Sequence, residues 1–97
     1  MPSYIMLLRW TQKGVESVKQ SPSRLAKAKE ALQAAGGAVK VFYKTMGRYD
    51  AVVVCEAPDD ATIARTALSL GAQGFIRTET MRAFSEDEFR EIVADLP

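Results

Sequence analysis

Two short stretches of this sequence are apolar on both of their alternating sets of residues. Tyr4-Ile5-Met6-Leu7-Leu8-Arg9-Trp10 and Ala51-Val52-Val53-Val54-Cys55-Glu56 each read as a strand. Successive side chains of a strand point to opposite faces. Tyr4, Met6, Leu8 and Trp10 therefore face one way, and Ile5 and Leu7 the other. In the same way Val52 and Val54 oppose Ala51, Val53 and Cys55. A sheet with one wet face would alternate apolar with polar residues. These two strands do not, so both belong at the centre of a sheet that needs cover on each side.

The rest of the chain supplies the neighbours of these strands. Thr11 to Gln20 is polar, with Val15 and Val18, and reads as a short helical turn. Ser21-Pro22 predicts a helix start, with Ser accepting a bond from the free amides and Pro at the first helical position. Leu25, Ala28, Leu32 and Ala35 then give one apolar stripe, and Gly36-Gly37 ends the helix. Val39 to Met46 reads as a second strand, joined to Ala51–Glu56 through the turn Gly47-Arg48-Tyr49-Asp50. Pro58-Asp59-Asp60 opens another helix, whose expected buried face is Ile63, Ala64, Ala67, Leu68 and Leu70. Phe75 to Phe84 is the last strand. Ser85-Glu86-Asp87-Glu88 has capping-box spacing and starts a terminal helix carrying Phe89, Ile92, Val93 and Leu96.

The order strand–helix–strand–strand–helix–strand, with an added C-terminal helix, predicts a single α+β domain over residues 1–97. It is the ferredoxin-like βαββαβ sandwich, with a four-stranded antiparallel sheet in the order 4-1-3-2. Two crossover helices cover one face. A terminal helix of about ten residues could cover only part of the other. A second copy of the chain, packed sheet to sheet, is the simplest cover, so a homodimer, open to assembly into a higher oligomer, is expected. The alternative is a monomer in which the terminal helix and residues 11–20 suffice.

Composition narrows the chemistry. Lys and Arg number 13 against 12 Asp and Glu, and no basic stripe interleaves with aromatics, so no nucleic-acid partner is expected. The first apolar run stops at Arg9, too short for a membrane span, and a cytoplasmic protein is expected. There is no histidine, which removes the usual general base and the commonest metal ligand. Cys55 is the one cysteine and sits among valines, where it reads as a small buried hydrophobe. Asp59-Asp60 and Glu86-Asp87-Glu88 are explained by helix starts, so neither a metal nor a bound cofactor is expected.

Polar residues gather at one end of the sheet. Arg48, Tyr49 and Asp50 bring a cation, a phenol and a carboxylate into one turn. They read either as plain turn residues or as a site, with Asp50 as base, Tyr49 as acid and Arg48 holding an anion. Arg77 and Glu79 share one face of the last strand, as edge protection or as a polar pocket lining, and Glu79 is a second candidate base. Trp10, with Arg9 beside it, could stack on a ligand or anchor an interface. The expected site is a sheet-end pocket for a small molecule, lined by Trp10, Arg48, Tyr49, Asp50, Arg77 and Glu79. The competing readings are a cofactor-independent enzyme and an interaction module without a ligand.

These residues also carry a family likeness. The ordered series Tyr4-Ile5-Met6-Leu7-Leu8-Arg9-Trp10-Thr11, Ser21-Pro22 with Arg24, Gly36-Gly37, Phe42-Tyr43, Gly47-Arg48-Tyr49-Asp50-Ala51-Val52, Glu56-Ala57-Pro58-Asp59-Asp60, Arg77-Thr78-Glu79-Thr80 and Ala83-Phe84 resembles the GYD-domain family of small, mostly bacterial proteins. The resemblance spans nearly the whole chain and implies a dimeric α+β barrel built from ferredoxin-like subunits. It implies no particular reaction. Related barrels include cofactor-free monooxygenases, lactone isomerases, amino-acid-sensing domains and haem-degrading enzymes, of which the last generally use a histidine ligand.

Overall fold

In a computed structural model describing residues 1–97, the two doubly apolar stretches are the central strands. The elements are β1 (Ser3–Trp10), α1 (Gln12–Glu16), a 3-10 turn (Val18–Gln20), α2 (Ser21–Ala34), β2 (Ala38–Lys44), β3 (Ala51–Glu56), α3 (Asp60–Ala72), β4 (Ile76–Ala83) and α4 (Glu86–Ala94). The sheet runs β2-β3-β1-β4, which is the expected order read from the other edge. Every neighbouring pair is antiparallel. Met6 sits opposite Val53 on one side and Thr80 on the other, and Leu7 opposite Val52 and Glu79. The fold is the ferredoxin-like α+β arrangement.

The two faces of the sheet differ as strand parity requires. Tyr4, Met6, Val53, Cys55 and Ala57 are buried with Leu32 of α2 and Ile63 of α3. Leu8, Val39, Phe42, Ala67 and Leu70 pack around that core. On the opposite face Ile5, Leu7, Val52 and Val54 are only half-buried, while Val41, Tyr43 and Met81 are exposed. No helix of the chain covers this second face, so the apolar surface on it is left open.

Local signals place the helices, with three differences from expectation. Ser21 is not the cap of α2: the 3-10 turn runs straight into the helix, so Ser21 is already helical (φ −54°, ψ −44°) and its Oγ donates to Val18 O. The end of α2 behaves as expected. Gly36, at φ +92°, lets Gly37 N–H reach Leu32 O at 2.9 Å and Gly36 N–H reach Gln33 O at 3.0 Å, which satisfies carbonyls the helix leaves free. In α3, Asp59 caps the Thr62 amide at 2.8 Å. Its buried side, however, is Thr62, Ile63, Thr66, Ala67 and Leu70; Ala64 and Leu68 face out, Leu68 at 74% exposure. The helix is oriented by Ile63, Ala67 and Leu70 packing on the core, and 3.6 residues per turn carries position 68 away from position 63.

The third difference is α4. It has the expected capping box between Ser85 and Glu88. Yet it shields none of the open face: Phe89, Ile92, Val93 and Leu96 all remain exposed, Phe89 at 59%. Their spacing of three, one and three puts them on one stripe. With α4 projecting, the molecule measures 52 × 31 × 19 Å. No helix is long and apolar enough to cross a membrane.

Candidate functional site

The hairpin between β2 and β3 is shorter in its strands than the sequence suggests. β2 ends at Lys44, and the connection Thr45–Asp50 closes on itself. Thr45 N–H donates to Asp50 O at 3.0 Å and Thr45 Oγ1 to Tyr49 O at 2.6 Å. Asp50 N–H also donates to Leu8 O at 2.8 Å. Asp50 is thereby held against β1, and its Oδ2 accepts the Trp10 amide at 2.8 Å. Lys44 Nζ lies 4.0 Å from Asp50 Oδ1 and 4.7 Å from the centre of the Trp10 ring. Asp50 thus commits its carboxylate to a backbone donor, with a lysine beside it.

Trp10, Asp50 and Lys44 border a cavity of about 130 Å³ between the sheet and the helices. Its interior is apolar, with Met6, Leu8, Phe42, Leu32 and Leu70 among its walls. Across from the hairpin, Arg24 of α2 enters the lining. Its guanidinium lies 4.2 Å from the centre of the Phe75 ring, and Nη1 donates to Ser17 O at 3.1 Å and Ser17 Oγ at 3.2 Å. Nη2 is buried and has no hydrogen-bond partner.

A second cluster lies on the open face. Tyr49 donates its hydroxyl to Glu79 Oε2 at 2.9 Å, so the hairpin reaches across β1 to β4. Arg9 lies 4.8 Å from the centre of the Tyr49 ring and Arg48 lies 5.7 Å from it. Arg9 Nε is buried without a partner. Arg9 also sits opposite Arg77 in the β1–β4 register, a like-charge pair. Glu79 is the one carboxylate bonded within this group of cations.

The six residues singled out from the sequence therefore gather at one end of the sheet but do not share one pocket. Trp10 and Asp50 line the covered cavity, while Arg48, Tyr49 and Glu79 meet on the open face. Arg77 lines a separate shallow groove beside Leu68 and Gly71 of α3. Asp50 N–H bonds to Leu8 O of β1 and its carboxylate to the Trp10 amide, while the Tyr49 hydroxyl reaches Glu79, and so the two part. Arg24, Lys44 and Phe75 are site residues that sequence reasoning missed. One signal could have found Arg24: it sits four residues before Ala28 and eight before Leu32, so a charged residue occupies the buried stripe of α2.

The fold and these clusters define a class: a small ferredoxin-like α+β domain with an apolar chamber under its helices and an uncovered outer sheet face. The chain belongs to the GYD domain family, whose family model matches residues 4–93. It is 37% identical over 84 residues to the glutamine synthetase and cystathionine beta-lyase binding protein of Thermus thermophilus, a match covering 86% of this chain and 88% of that one. A crystal structure of a Thermus thermophilus protein has the same fold, with a TM-score of 0.54 and 24% identity over 88% of this chain and 95% of that chain.

Proposed function

We propose that this protein is an interaction module that pairs with a second copy through the open sheet face and docks, as a pair, on enzymes of amino-acid metabolism. The observation that carries the reading is the apolar surface left uncovered at two places in one small chain. Ile5, Leu7, Val52, Val54 and Met81 lie on the sheet, and Phe89, Ile92, Val93 and Leu96 on α4. Fully burying an exposed side chain of this kind is worth up to about 1.5–3 kcal/mol, a gain that works against the entropy lost on pairing. Charge favours the same partner. Glu86, Asp87, Glu88 and Glu91 outnumber Arg90, which pairs with Glu86 and Asp87, so α4 is net acidic, and Arg9 and Arg48 leave the hairpin end of the open face cationic. The α4 of one copy laid along the open face of the other matches both apolar and charged surfaces.

The enzyme partners are inferred from the Thermus relative, which is named for binding glutamine synthetase and cystathionine beta-lyase. Sedimentation velocity tests the pairing: the expected species has twice the 10.7 kDa chain mass. Val52→Asp, placed on the open face and outside the core, should return a folded monomer, with folding checked by circular dichroism. Mixing with purified glutamine synthetase and cystathionine beta-lyase from the same organism should produce a faster-sedimenting complex. A 10.7 kDa species at micromolar concentration that shifts with neither enzyme would sink the reading.

A further inference from the structure

We propose that the space between the sheet and helices α2 and α3 binds a small organic carboxylate with a ring-sized apolar body, held by Arg24. Two adjoining spaces make the site. The inner chamber of about 130 Å³ is walled mostly by apolar side chains, with Asp50, Lys44 and Arg24 at its borders. That is close to the roughly 150 Å³ at which an apolar cavity accepts benzene. The outer space is a groove of about 730 Å³ between α2 and α3, lined by Arg24, Lys27 and Arg65 with the hydroxyls of Ser17, Ser23 and Ser69. No aspartate or glutamate lines the groove. Arg24 and Phe75 border both spaces and so stand where the apolar part of a ligand would give way to its anionic part.

Arg24 is already shaped for that task. Ser17 takes Nη1, the Phe75 ring lies against the guanidinium, and Nη2 is left buried with no acceptor. A buried donor without a partner is costly, and more so when it is charged. A carboxylate oxygen at Nη2 would remove that cost, and its second oxygen would face the groove cations. Neither Lys27 nor Arg65 is committed to a salt bridge; Arg65 donates only to Thr62 Oγ1, at 3.3 Å. The chamber's own carboxylate, Asp50, does not compete, because the Trp10 amide and Lys44 occupy it. A ring-bearing carboxylate fills the apolar chamber while it meets Nη2, which a phosphate without an apolar body does not do.

Benzoate is a direct probe, with benzamide as its neutral counterpart and inorganic phosphate as the anion without a ring. Benzoate should raise the melting temperature of the wild-type protein and change Trp10 fluorescence, since Trp10 lines the chamber. Benzamide and phosphate should do neither at the same concentration. Arg24→Gln and Arg24→Lys should each weaken benzoate binding by about tenfold or more, since glutamine lacks the charge and an ammonium lacks the planar donors that hold Ser17 and the carboxylate at once. Should both variants unfold, side-chain NMR of the wild-type chain still decides: benzoate must shift the Arg24 and Trp10 resonances. Equal binding of benzamide or phosphate, or benzoate shifts that avoid Arg24, would overturn the assignment. The site lies on the covered side of the sheet, so the monomeric Val52→Asp variant should bind benzoate as the wild type does, and failure of the pairing would leave this result intact.

Discussion

Tyr4, at the start of the central strand, donates its phenol to Asp60 Oδ1 in the first turn of α3. The bond ties the middle of the sheet to a crossover helix, and it raises the phenol pKa from 10.0 to about 12. The hydrogen bond to Asp60 contributes most, burial and the Asp60 charge add to it, and Arg82 opposes them. The folded state holds this proton more tightly than the unfolded chain does. The resulting stabilisation is fully present below pH 10, falls as the unfolded chain loses the proton, and is gone above about 12. Tyr4→Phe should flatten the decline of stability over that alkaline window. Urea titrations across the window, with tyrosinate absorbance followed in parallel, check both statements. An equally steep decline in the variant would contradict them.

Asp50 is worth more as an acceptor than as a charge. It receives the Trp10 amide at 2.8 Å, whereas the nearest cation, Lys44, lies at 4.0 Å. Asp50→Ala leaves that amide without its partner and should destabilise the chain by about 1–3 kcal/mol. Asp50→Asn keeps an oxygen in place and should cost less than Ala. The exposed Tyr49–Glu79 bond serves as a contrast, and Tyr49→Phe should change the stability of the monomeric Val52→Asp background by less than about 1 kcal/mol. Denaturation in urea orders the three variants.

The central part of the fold is legible in the sequence because strand parity is a strong signal. Tyr4, Met6 and Leu8 on one side of β1, and Ile5 and Leu7 on the other, follow from alternation alone, and the register agrees. Helix phase is less legible. Leu68 has the composition of a buried residue, and the side of α3 that faces the sheet is settled only by the packing of Ile63, Ala67 and Leu70 on the core. The Ser21 cap fails because a preceding 3-10 turn depends on how residues 11–20 fold back, which no local pattern reveals. The site is half legible. The hairpin residues stand out by type, but the division of Tyr49 from Asp50 depends on which one joins the β1 ladder. Arg24 meets Phe75 only through tertiary packing between positions distant in the chain.

Gly14 marks a close approach that fixes α1 against the sheet end. A methyl group at this position would stand 2.1 Å from Phe75 O, a backbone atom, and 3.2 Å from Trp10 Cδ1. Thr11 holds the same junction, donating its amide to Phe75 O at 3.0 Å and Oγ1 to Gly74 O at 2.6 Å. Gly14→Ala must therefore move backbone, and it should destabilise by about 2 kcal/mol or more. Gly47→Ala is the control of opposite kind. Nothing lies within 4 Å of its added methyl, but φ of +104° is strained for alanine, so about 1–3 kcal/mol is expected from the backbone alone. Only Gly14→Ala should also disturb Trp10 fluorescence.

Cys55 is fully buried in β3, opposite Tyr4 of β1 and Val39 of β2. Burial raises its thiol pKa, because a thiolate there would lack solvation. The nucleophilic form is therefore scarce at neutral pH, and a reagent cannot reach the sulfur without opening the sheet. Labelling by an aromatic disulfide reagent should be slow in buffer and rapid in denaturing urea, with the native rate tracking the opening of the fold. Cys55→Ser should cost about 1–3 kcal/mol, since it places a hydroxyl in an apolar core, while Cys55→Ala exchanges only packing. Rapid labelling of the native protein would mean that the centre of the sheet is open to solvent, and the placement of Cys55 in the core would then be wrong.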